Sequence, residues 1–186
     1  MNDVIQAAAQ LQQVCESEHW HFCFIGGLAL QRWGQPRETV DVDLTLLTGF
    51  GKEDFYIERL MRSFGARIKS AADFARDRRV LLLNSEQGVG LDIALAALPF
   101  EESVIKRSSL FRYPPNFDLR TCSAEDLIVL KAFANRYQDW ADIEGIIARQ
   151  ADNLDWSYIV TELEPLADLK ETPQIMEQLN KMRDVG

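Results

Sequence analysis

The stretch "FIGGLALQRWGQPRETVDVDLTLL", residues 24–47, decides how this chain of 186 residues is interpreted. An aromatic-rich run stops at Gly26-Gly27, which is typical of a strand that ends in a tight turn. A short helix, "LALQRW", is predicted to follow that turn. Apolar and polar residues then alternate, which predicts a second strand. Its core face would hold Val40, Val42, Leu44 and Leu46.

Two aspartates, Asp41 and Asp43, lie on the opposite face of that second strand. One residue separates them, so their carboxylates project to the same side from Cα atoms roughly 6.5–7 Å apart. Carboxylate oxygens suit Mg²⁺, which usually keeps waters and bridges to substrate phosphates. Two solvated aspartates on a half-exposed strand are the simpler alternative. However, Asp is disfavoured in strands, and like charges on one face repel.

Two further features accompany this pair. Gly26-Gly27 opens a helix, where backbone N–H groups can bind phosphate oxygens without side-chain obstruction, although a plain turn is the alternative. Asp92 lies on a later predicted strand, in "GVGLDIALA", where its small neighbours leave it an open setting. The turn and the carboxylates are therefore predicted to meet at one edge of a sheet.

The rest of the chain predicts helices and strands around this centre, followed by an all-helical third. The predicted helices cover residues 2–16, "EDFYIERLMRSFG" and "LPFEESVIKRSS", and the further strands cover Ala66–Lys69, Arg79–Asn84, Val89–Leu95 and "FDLRTC". Ser123 with Asp126 resembles a capping box that starts the helical part. We expect a core of residues 1–114 and a helical subdomain of residues 115–186.

Composition excludes a disordered chain, a collagen and a disulfide scaffold. Hydrophobic residues make up 47% and charged residues 26%, as in an ordinary globular protein. The net charge of −9 opposes extensive, sequence-independent contact with nucleic acid. The three cysteines are widely spaced, which favours buried thiols, and His19 and His21 flank Trp20 without further ligands at zinc spacing. Apolar runs are too short to span a membrane, so a soluble, cytoplasmic protein is expected.

The order of strand, Gly-Gly turn, short helix, D-x-D strand and later acid resembles the polymerase-beta-like nucleotidyltransferase superfamily. The segment Arg37-x-Thr39-x-Asp41-x-Asp43, followed by "SAEDLIVLKAFANRYQDWADIEGII", is similar to AbiEii/AbiGii-type toxin nucleotidyltransferases and related bacterial proteins, and also to aminoglycoside nucleotidyltransferases. The resemblance covers roughly two-thirds of the chain. One departure is Gly27, where many superfamily members have Ser.

This resemblance implies a fold and a set of roles. The fold would be α/β (α+β), a nucleotidyltransferase-like mixed β-sheet flanked by helices with a C-terminal helical bundle. Asp41 and Asp43 would bind metal, and Asp92 would complete the catalytic and metal-binding acids and accept a proton from the attacking hydroxyl. The nucleotide-binding residues would be Gly26, Gly27, Arg37, Thr39 and Lys131.

The cations each have an alternative interpretation. Lys131 matches a family lysine that would assist at the β- and γ-phosphates, whereas alone it would be interpreted as a lysine at the margin of a packed helix. Arg37 would contact phosphate, pair with Glu38 or orient the Asp41 strand. Asp139 and Asp142 share one helical face, where salt bridges could order Lys131 or Arg136. We expect Arg136, Asp139 and Asp142 to support the site structurally.

The activity implied is Mg²⁺-dependent transfer of a nucleoside monophosphate from an NTP to an acceptor hydroxyl of a protein, an RNA or a small molecule. One or two Mg²⁺ ions would take part, and pyrophosphate would leave. A toxin or defence role with an antitoxin partner accompanies the resemblance. The alternative is a catalytically silent nucleotide-sensing or protein-binding module on the same fold.

Overall fold

The computed structural model describes residues 2–185 and contains a mixed sheet. Its strands are β1 (Phe22–Phe24), β2 (Asp41–Leu47), β3 (Gly65–Ala66), β4 (Val80–Asn84), β5 (Gly90–Ala96), β6 (Ser109–Tyr113) and β7 (Phe117–Thr121). Their order across the sheet is β3-β4-β5-β2-β1-β7-β6. β2 runs parallel to β5 and antiparallel to β1. The predicted mixed sheet with flanking helices is confirmed.

The helices lie between and after these strands. They are α1 (Asn2–Ser17), α2 (Gly26–Trp33), α3 (Glu53–Ser63), α4 (Ala71–Arg78), α5 (Pro99–Arg107), α6 (Ala124–Ala134), α7 (Tyr137–Gln150), α8 (Trp156–Leu169) and α9 (Gln174–Val185). A 3₁₀ turn, Ala151–Asn153, separates α7 from α8. Within residues 2–185, no helix combines the length and apolar character needed to cross a bilayer.

Contacts between residues divide the chain into two units. The sheet unit comprises the chain up to Leu28 together with Glu38–Cys122, and the helical unit comprises Ala29–Arg37 together with the chain from Ser123. The expected boundary after residue 114 differs from this division. β7 pairs with β1 and β6, so the segment after residue 114 belongs to the sheet.

The core of the sheet unit explains why β2 forms where it does. Val42, Leu44 and Leu46 are fully buried, as their alternation predicts. Val40 was expected on the same face, but it precedes the strand and is 68% exposed. β1 is also shorter than the sequence indicates. His19 adopts a left-handed backbone (φ 56°) in the turn after α1, and the strand begins only at Phe22.

Several elements differ from the sequence prediction. The strand expected at Ala66–Lys69 is shorter and starts earlier, as the two residues of β3. Gly65, which was expected to end the preceding helix, belongs to this strand because α3 already ends at Ser63. α4 was not predicted, since its sequence "AADFARDR" buries only two alanines. β6 was missed because four of its five residues are exposed, so the edge strand shows no apolar alternation.

The helical unit packs around α6. Most residues of this helix are apolar or buried, and it contacts α7, α8 and α9. Ser123 caps α6 as predicted, since its hydroxyl oxygen accepts from the Asp126 N–H at 3.1 Å. A helix that is apolar on nearly all sides needs such neighbours on several faces, which the three following helices supply.

The cysteines of the sheet unit are buried, as expected: Cys15, Cys23 and Cys122. Burial, together with the charge of Glu16, raises the pKa of the Cys15 thiol to about 12. This thiol therefore stays protonated and unreactive at neutral pH.

Candidate active site

The candidate site lies at the strand ends of the sheet, where β1 ends and the neighbouring β2 begins. Because these strands are antiparallel, the last residue of β1, Phe24, pairs with Leu44. The next residue continues the ladder, since the Ile25 N–H donates to the Asp43 carbonyl at 3.0 Å. The glycines that follow Ile25 are thereby held beside the two aspartates of β2.

Gly26 is fixed by two independent constraints. Its φ of +57° lies in the left-handed region that side chains disfavour. A Cβ at this position would also stand 2.0 Å from the Oδ2 atom of Asp43. The carboxylate of Asp43 therefore lies directly against the first residue of α2, which any larger residue at position 26 would prevent.

Gly27 is fixed by Thr39. A Cβ on Gly27 would stand 2.4 Å from the Thr39 Oγ1 atom and 2.7 Å from its Cβ. The Thr39 hydroxyl in turn donates to the backbone carbonyl of Asp41 at 3.1 Å. The departure from the Ser of many superfamily members has a physical reason here, because Thr39 occupies the space that a serine side chain would need.

Asp92 joins the pair through the register of the sheet. β2 and β5 are parallel, with Asp43 opposite Asp92 and Asp41 opposite Gly90. Directly opposite residues of neighbouring strands share one face of the sheet. A Cβ on Gly90 would stand 2.4 Å from the Asp41 Oδ1 atom, so the Asp41 carboxylate leans over β5. The structure thus brings the three predicted acids onto one patch.

Arg67 is a member of this patch that the sequence did not reveal. Its Nη2 atom donates to Asp92 Oδ1 at 2.5 Å, in a pair whose side chains are 29% and 34% exposed. Its Nη1 atom lies 2.5 Å from the position that a Cβ on Gly90 would take, and the Asp41 carboxylate borders the same position. The guanidinium therefore contacts Asp92 and is a neighbour of Asp41.

The register of β4 explains how Arg67 reaches the site. The Arg67 N–H donates to the Leu82 carbonyl at 3.1 Å, and Leu82 lies opposite Asp92 on β5. The side chain thus crosses β4 to meet Asp92. No local motif connects two residues 25 positions apart. Only the pairing of β4 with β5 could have identified this partner.

The donor set fits a Mg²⁺ ion that takes few protein ligands. Asp41 and Asp43 offer hard carboxylate oxygens on one face, and Mg²⁺ commonly binds one or two carboxylates and completes its shell with waters and phosphates. Among residues 2–185, no group of three or more His, Cys, Asp or Glu side chains is arranged to hold an ion by itself. Two carboxylates on one face suit a metal that also binds substrate oxygens.

A second charged cluster lies within the helical unit, on α6 and α7. The Lys131 ammonium is buried and donates to Asp142 Oδ2 at 2.6 Å and to Asp139 Oδ1 at 3.3 Å. Arg136 donates through Nε to Asp139 Oδ2 at 2.7 Å. The salt bridges proposed for this pair of aspartates are present. The Lys131 ammonium pairs with these two aspartates, and its contact with a phosphate stays a prediction.

Arg37 completes this second cluster. Its Nε and Nη2 atoms donate to the two carboxylate oxygens of Asp142 at 3.0 and 3.1 Å. This forked geometry is the strong form of an arginine–carboxylate pair. The sequence did not predict this pairing of Arg37 with a residue of α7. Phosphate binding by Arg37 stays a prediction.

The pKa values of the two aspartates reflect these partners. Burial would raise the pKa of Asp139, but hydrogen bonding from Arg136 and the charge of Lys131 outweigh it and lower the value. Burial opposes the shift at Asp142 too, where hydrogen bonds from Arg37 and Lys131 lower the pKa. The hydrogen bond to Asp142 raises the pKa of Arg37 in return. Both carboxylates are therefore ionised at neutral pH.

Comparison with known proteins identifies the family. The family model described as "Nucleotidyl transferase AbiEii toxin, Type IV TA system" matches residues 10–165. This chain belongs to the AbiEii nucleotidyltransferase toxin family. No curated protein matches this AbiEii-family chain. Family membership supports nucleotidyl transfer, in general terms, as its enzymatic activity.

Solved structures resemble the fold of this AbiEii protein. An antigenic nucleotidyltransferase-like protein from Paracoccidioides brasiliensis has a TM-score of 0.53 at 16% identity, covering 97% of this chain and 93% of that chain. The lincosamide antibiotic adenylyltransferase LnuA, lincomycin-bound, has a TM-score of 0.49 at 14% identity, covering 73% and 91%. ANT(2")-Ia in complex with adenylyl-2"-tobramycin has a TM-score of 0.48 at 15% identity, covering 99% and 98%. The first of these supports the nucleotidyltransferase-like fold.

Proposed function

We propose that this AbiEii-family protein is a cytoplasmic, Mg²⁺-dependent nucleotidyltransferase that moves a nucleoside monophosphate from an NTP to an acceptor hydroxyl. One observation carries the proposal. Asp41, Asp43 and Asp92 share one face of two adjacent strands, and Asp43 lies against the first residue of α2. Carboxylates beside the start of a helix are suited to a metal-bound triphosphate.

Asp41, Asp43 and Asp92 would hold the metal, and the donor set is compatible with one or two ions. When bound, Mg²⁺ supplies positive charge that neutralises the phosphate oxygens and increases the electrophilicity of the α-phosphorus. Without such charge, a triphosphate would approach a patch whose carboxylates repel it. The affinity for NTP is therefore expected to depend on the divalent cation.

The remaining steps use residues of the chain. Gly26 and Gly27 would bind the phosphates at the start of α2, because neither has a side chain to obstruct them. Gly26 is partly exposed there, whereas Gly27 is buried beside Thr39. The acceptor oxygen attacks the α-phosphorus in line, the bond from that phosphorus to its β-bridging oxygen breaks, and pyrophosphate leaves. Asp92 accepts the proton of the acceptor hydroxyl. Positioning and charge neutralisation, not a covalent nucleophile, provide the catalysis.

Two cationic side chains would contact the phosphates in this proposal, Arg37 and Lys131. Thr39, which precedes β2, would support nucleotide binding. Arg136, Asp139 and Asp142 would orient Lys131. The donations from Lys131 to Asp142 at 2.6 Å and to Asp139 at 3.3 Å support that orienting role.

The acceptor is the hydroxyl of a protein, an RNA or a small molecule. The Type IV toxin–antitoxin description of the family supports a toxin role and an antitoxin partner. A short RNA end is compatible with the net charge of −9, whereas a long nucleic-acid track is not.

Transfer of label from an NTP to protein, RNA or small-molecule acceptors tests the proposal. We expect Mg²⁺-dependent transfer that Asp41→Asn and Asp43→Asn each reduce at least about 100-fold, the scale of losing a group that stabilises the transition state. Asp77→Asn is the matched control, because Asp77 is an exposed aspartate of α4 in the same unit. NTP binding without transfer to any acceptor would favour the silent nucleotide-sensing module instead.

A further inference from the structure

Arg67 places a permanent positive charge inside the carboxylate patch. Its guanidinium donates to Asp92 at 2.5 Å and is a neighbour of the Asp41 carboxylate above Gly90. A guanidinium carries one positive charge and five N–H donors. The patch therefore contains three carboxylates and one internal cation that touches the acid on β5.

This position is built into the fold. The backbone of Arg67 is tied to Leu82 on β4, and Leu82 is in register with Asp92. Gly90 has no side chain, and the space where a Cβ would stand is bordered by Arg67 Nη1 and Asp41 Oδ1. Any larger residue at position 90 would displace one of these two atoms. The contact is thus supported by strand register and by a glycine.

We infer that Arg67 is an internal competitor of the divalent cation, holding Asp92 by an ion pair that the cation must displace to recruit this carboxylate. The inference deepens the proposed function and rests on it. The guanidinium and a divalent cation would both be attracted to the Asp92 carboxylate, and their like charges repel at short distance. Metal binding would therefore weaken the ion pair between Asp92 and Arg67.

A purely structural role for Arg67 predicts a different behaviour. If the guanidinium only fastened the segment after β3 to the sheet, its removal would loosen that segment and leave metal affinity unchanged or weaker. As a competitor, its removal would make metal binding tighter. The sign of the change in affinity therefore distinguishes the two roles.

The experiment measures Mn²⁺ binding to the full chain by the loss of the free Mn²⁺ signal in electron paramagnetic resonance, without nucleotide. We expect Arg67→Gln to lower the Kd for Mn²⁺ by roughly threefold to tenfold, after allowing for solvent screening of a partly exposed site. Arg67→Lys keeps the charge and should stay near the wild-type affinity. Arg112→Gln is the matched control, since this arginine pairs with Asp118 on the β6–β7 hairpin.

The wild-type protein provides a second measurement that does not depend on the stability of a variant. The Nε–Hε signal of Arg67, followed by NMR with Arg67→Lys for assignment, should shift during a Mg²⁺ titration while that of Arg112 stays in place. A folded Arg67→Gln variant that binds Mn²⁺ no more tightly than wild type would overturn the inference. So would an Arg67 signal that is unmoved when Mg²⁺ is bound.

Failure of the inference can be told apart from failure of the proposed function. If wild type binds Mn²⁺ and Asp43→Asn abolishes that binding, the metal site stands, and the Arg67 variant judges the competition alone. If Asp43→Asn binds as wild type does, the proposed site is wrong. Absence of Mn²⁺ binding in both wild type and Arg67→Gln would overturn both.

Discussion

At the residue scale, Gly27 and Thr39 form a pair whose sizes depend on each other. Thr39 fills the space next to Gly27 and at the same time donates to the Asp41 carbonyl. A serine side chain at position 27 would collide with the Thr39 hydroxyl, which is hydrogen-bonded to the first residue of β2. Substitutions at the two positions should therefore not be additive.

We predict that Gly27→Ser destabilises this protein by about 1–3 kcal/mol, the usual cost of overpacking. The Thr39→Gly background should remove most of that cost, because both close atoms of Thr39 are then absent. Urea unfolding of the wild type, both single variants and the double variant gives the coupling free energy. A coupling energy near zero would show that Thr39 is not the obstacle.

Gly26 allows a sharper separation of backbone strain from side-chain collision. Gly26→Ala combines a left-handed φ with a clash against Asp43, whereas Gly88→Ala, at φ +80°, meets nothing within 4 Å. Both should lose about 1 kcal/mol to strain. Only Gly26→Ala should lose more, and only it should weaken Mn²⁺ binding. Equal unfolding energies for the two variants in urea would contradict this account of the Asp43 contact.

At the element scale, α6 and α7 are held together by buried charges as well as by apolar packing. Lys131 on α6 donates to Asp139 and Asp142 on α7, and all three side chains are nearly inaccessible to solvent. Pairs of this kind stabilise less than their Coulomb energy suggests, but removing one partner is costly because the other charge stays buried.

We predict that Asp142→Asn costs about 2–3 kcal/mol at pH 7, less than a fully orphaned charge would cost because Asp139 still faces Lys131. The pKa of Asp142 is lowered in the folded protein, so its stabilisation is present above the ordinary carboxyl pKa. That stabilisation is lost as pH falls through the lower folded value. The gap between wild type and variant should thus be constant from about pH 5 to 8 and shrink below about pH 4.

Urea midpoints measured across this pH range check the prediction, with Asp152→Asn as a control at an exposed aspartate. A gap between wild type and Asp142→Asn that persists unchanged at pH 3 would mean that the loss comes from packing and not from the charge. A gap of zero at pH 7 would mean that the ion pair contributes nothing.

The elements also show how far sequence patterns reach. β2 was predictable because one face is buried and the other carries Asp41 and Asp43, which gives a clear alternation. β6 has no such contrast, since it is an edge strand with exposed residues on both faces. α4 lacked an apolar stripe for a similar reason. Patterns that depend on burial fail where an element buries little.

At the scale of the whole molecule, sequence reasoning placed the acids correctly on strands but could not find their partners. Asp41, Asp43 and Gly26 are close in the chain, so local spacing predicted their meeting. Arg67 reaches Asp92 only through the pairing of β4 with β5, which no local signal encodes.

The net charge of −9 has a consequence for substrate binding by the whole chain. We predict that an NTP with Mg²⁺, at about 100 times its Kd, raises the Tm by about 5–10 °C, as expected from roughly 2.7 kcal/mol of binding linkage. The NTP with EDTA should give almost no shift, because its charge is then unneutralised. Differential scanning fluorimetry checks this. An equal shift with EDTA would exclude a metal-dependent nucleotide site.

The central claim is that the acceptor oxygen attacks the α-phosphorus of the NTP. The most direct measurement compares NTPs labelled at the α- or the γ-phosphate in parallel transfer reactions with Mg²⁺. The account predicts that only the α-label becomes bound to the acceptor, that the γ-label leaves as pyrophosphate, and that Asp43→Asn abolishes both changes. Transfer of the γ-label to the acceptor, or α-label transfer that survives Asp43→Asn, would contradict it.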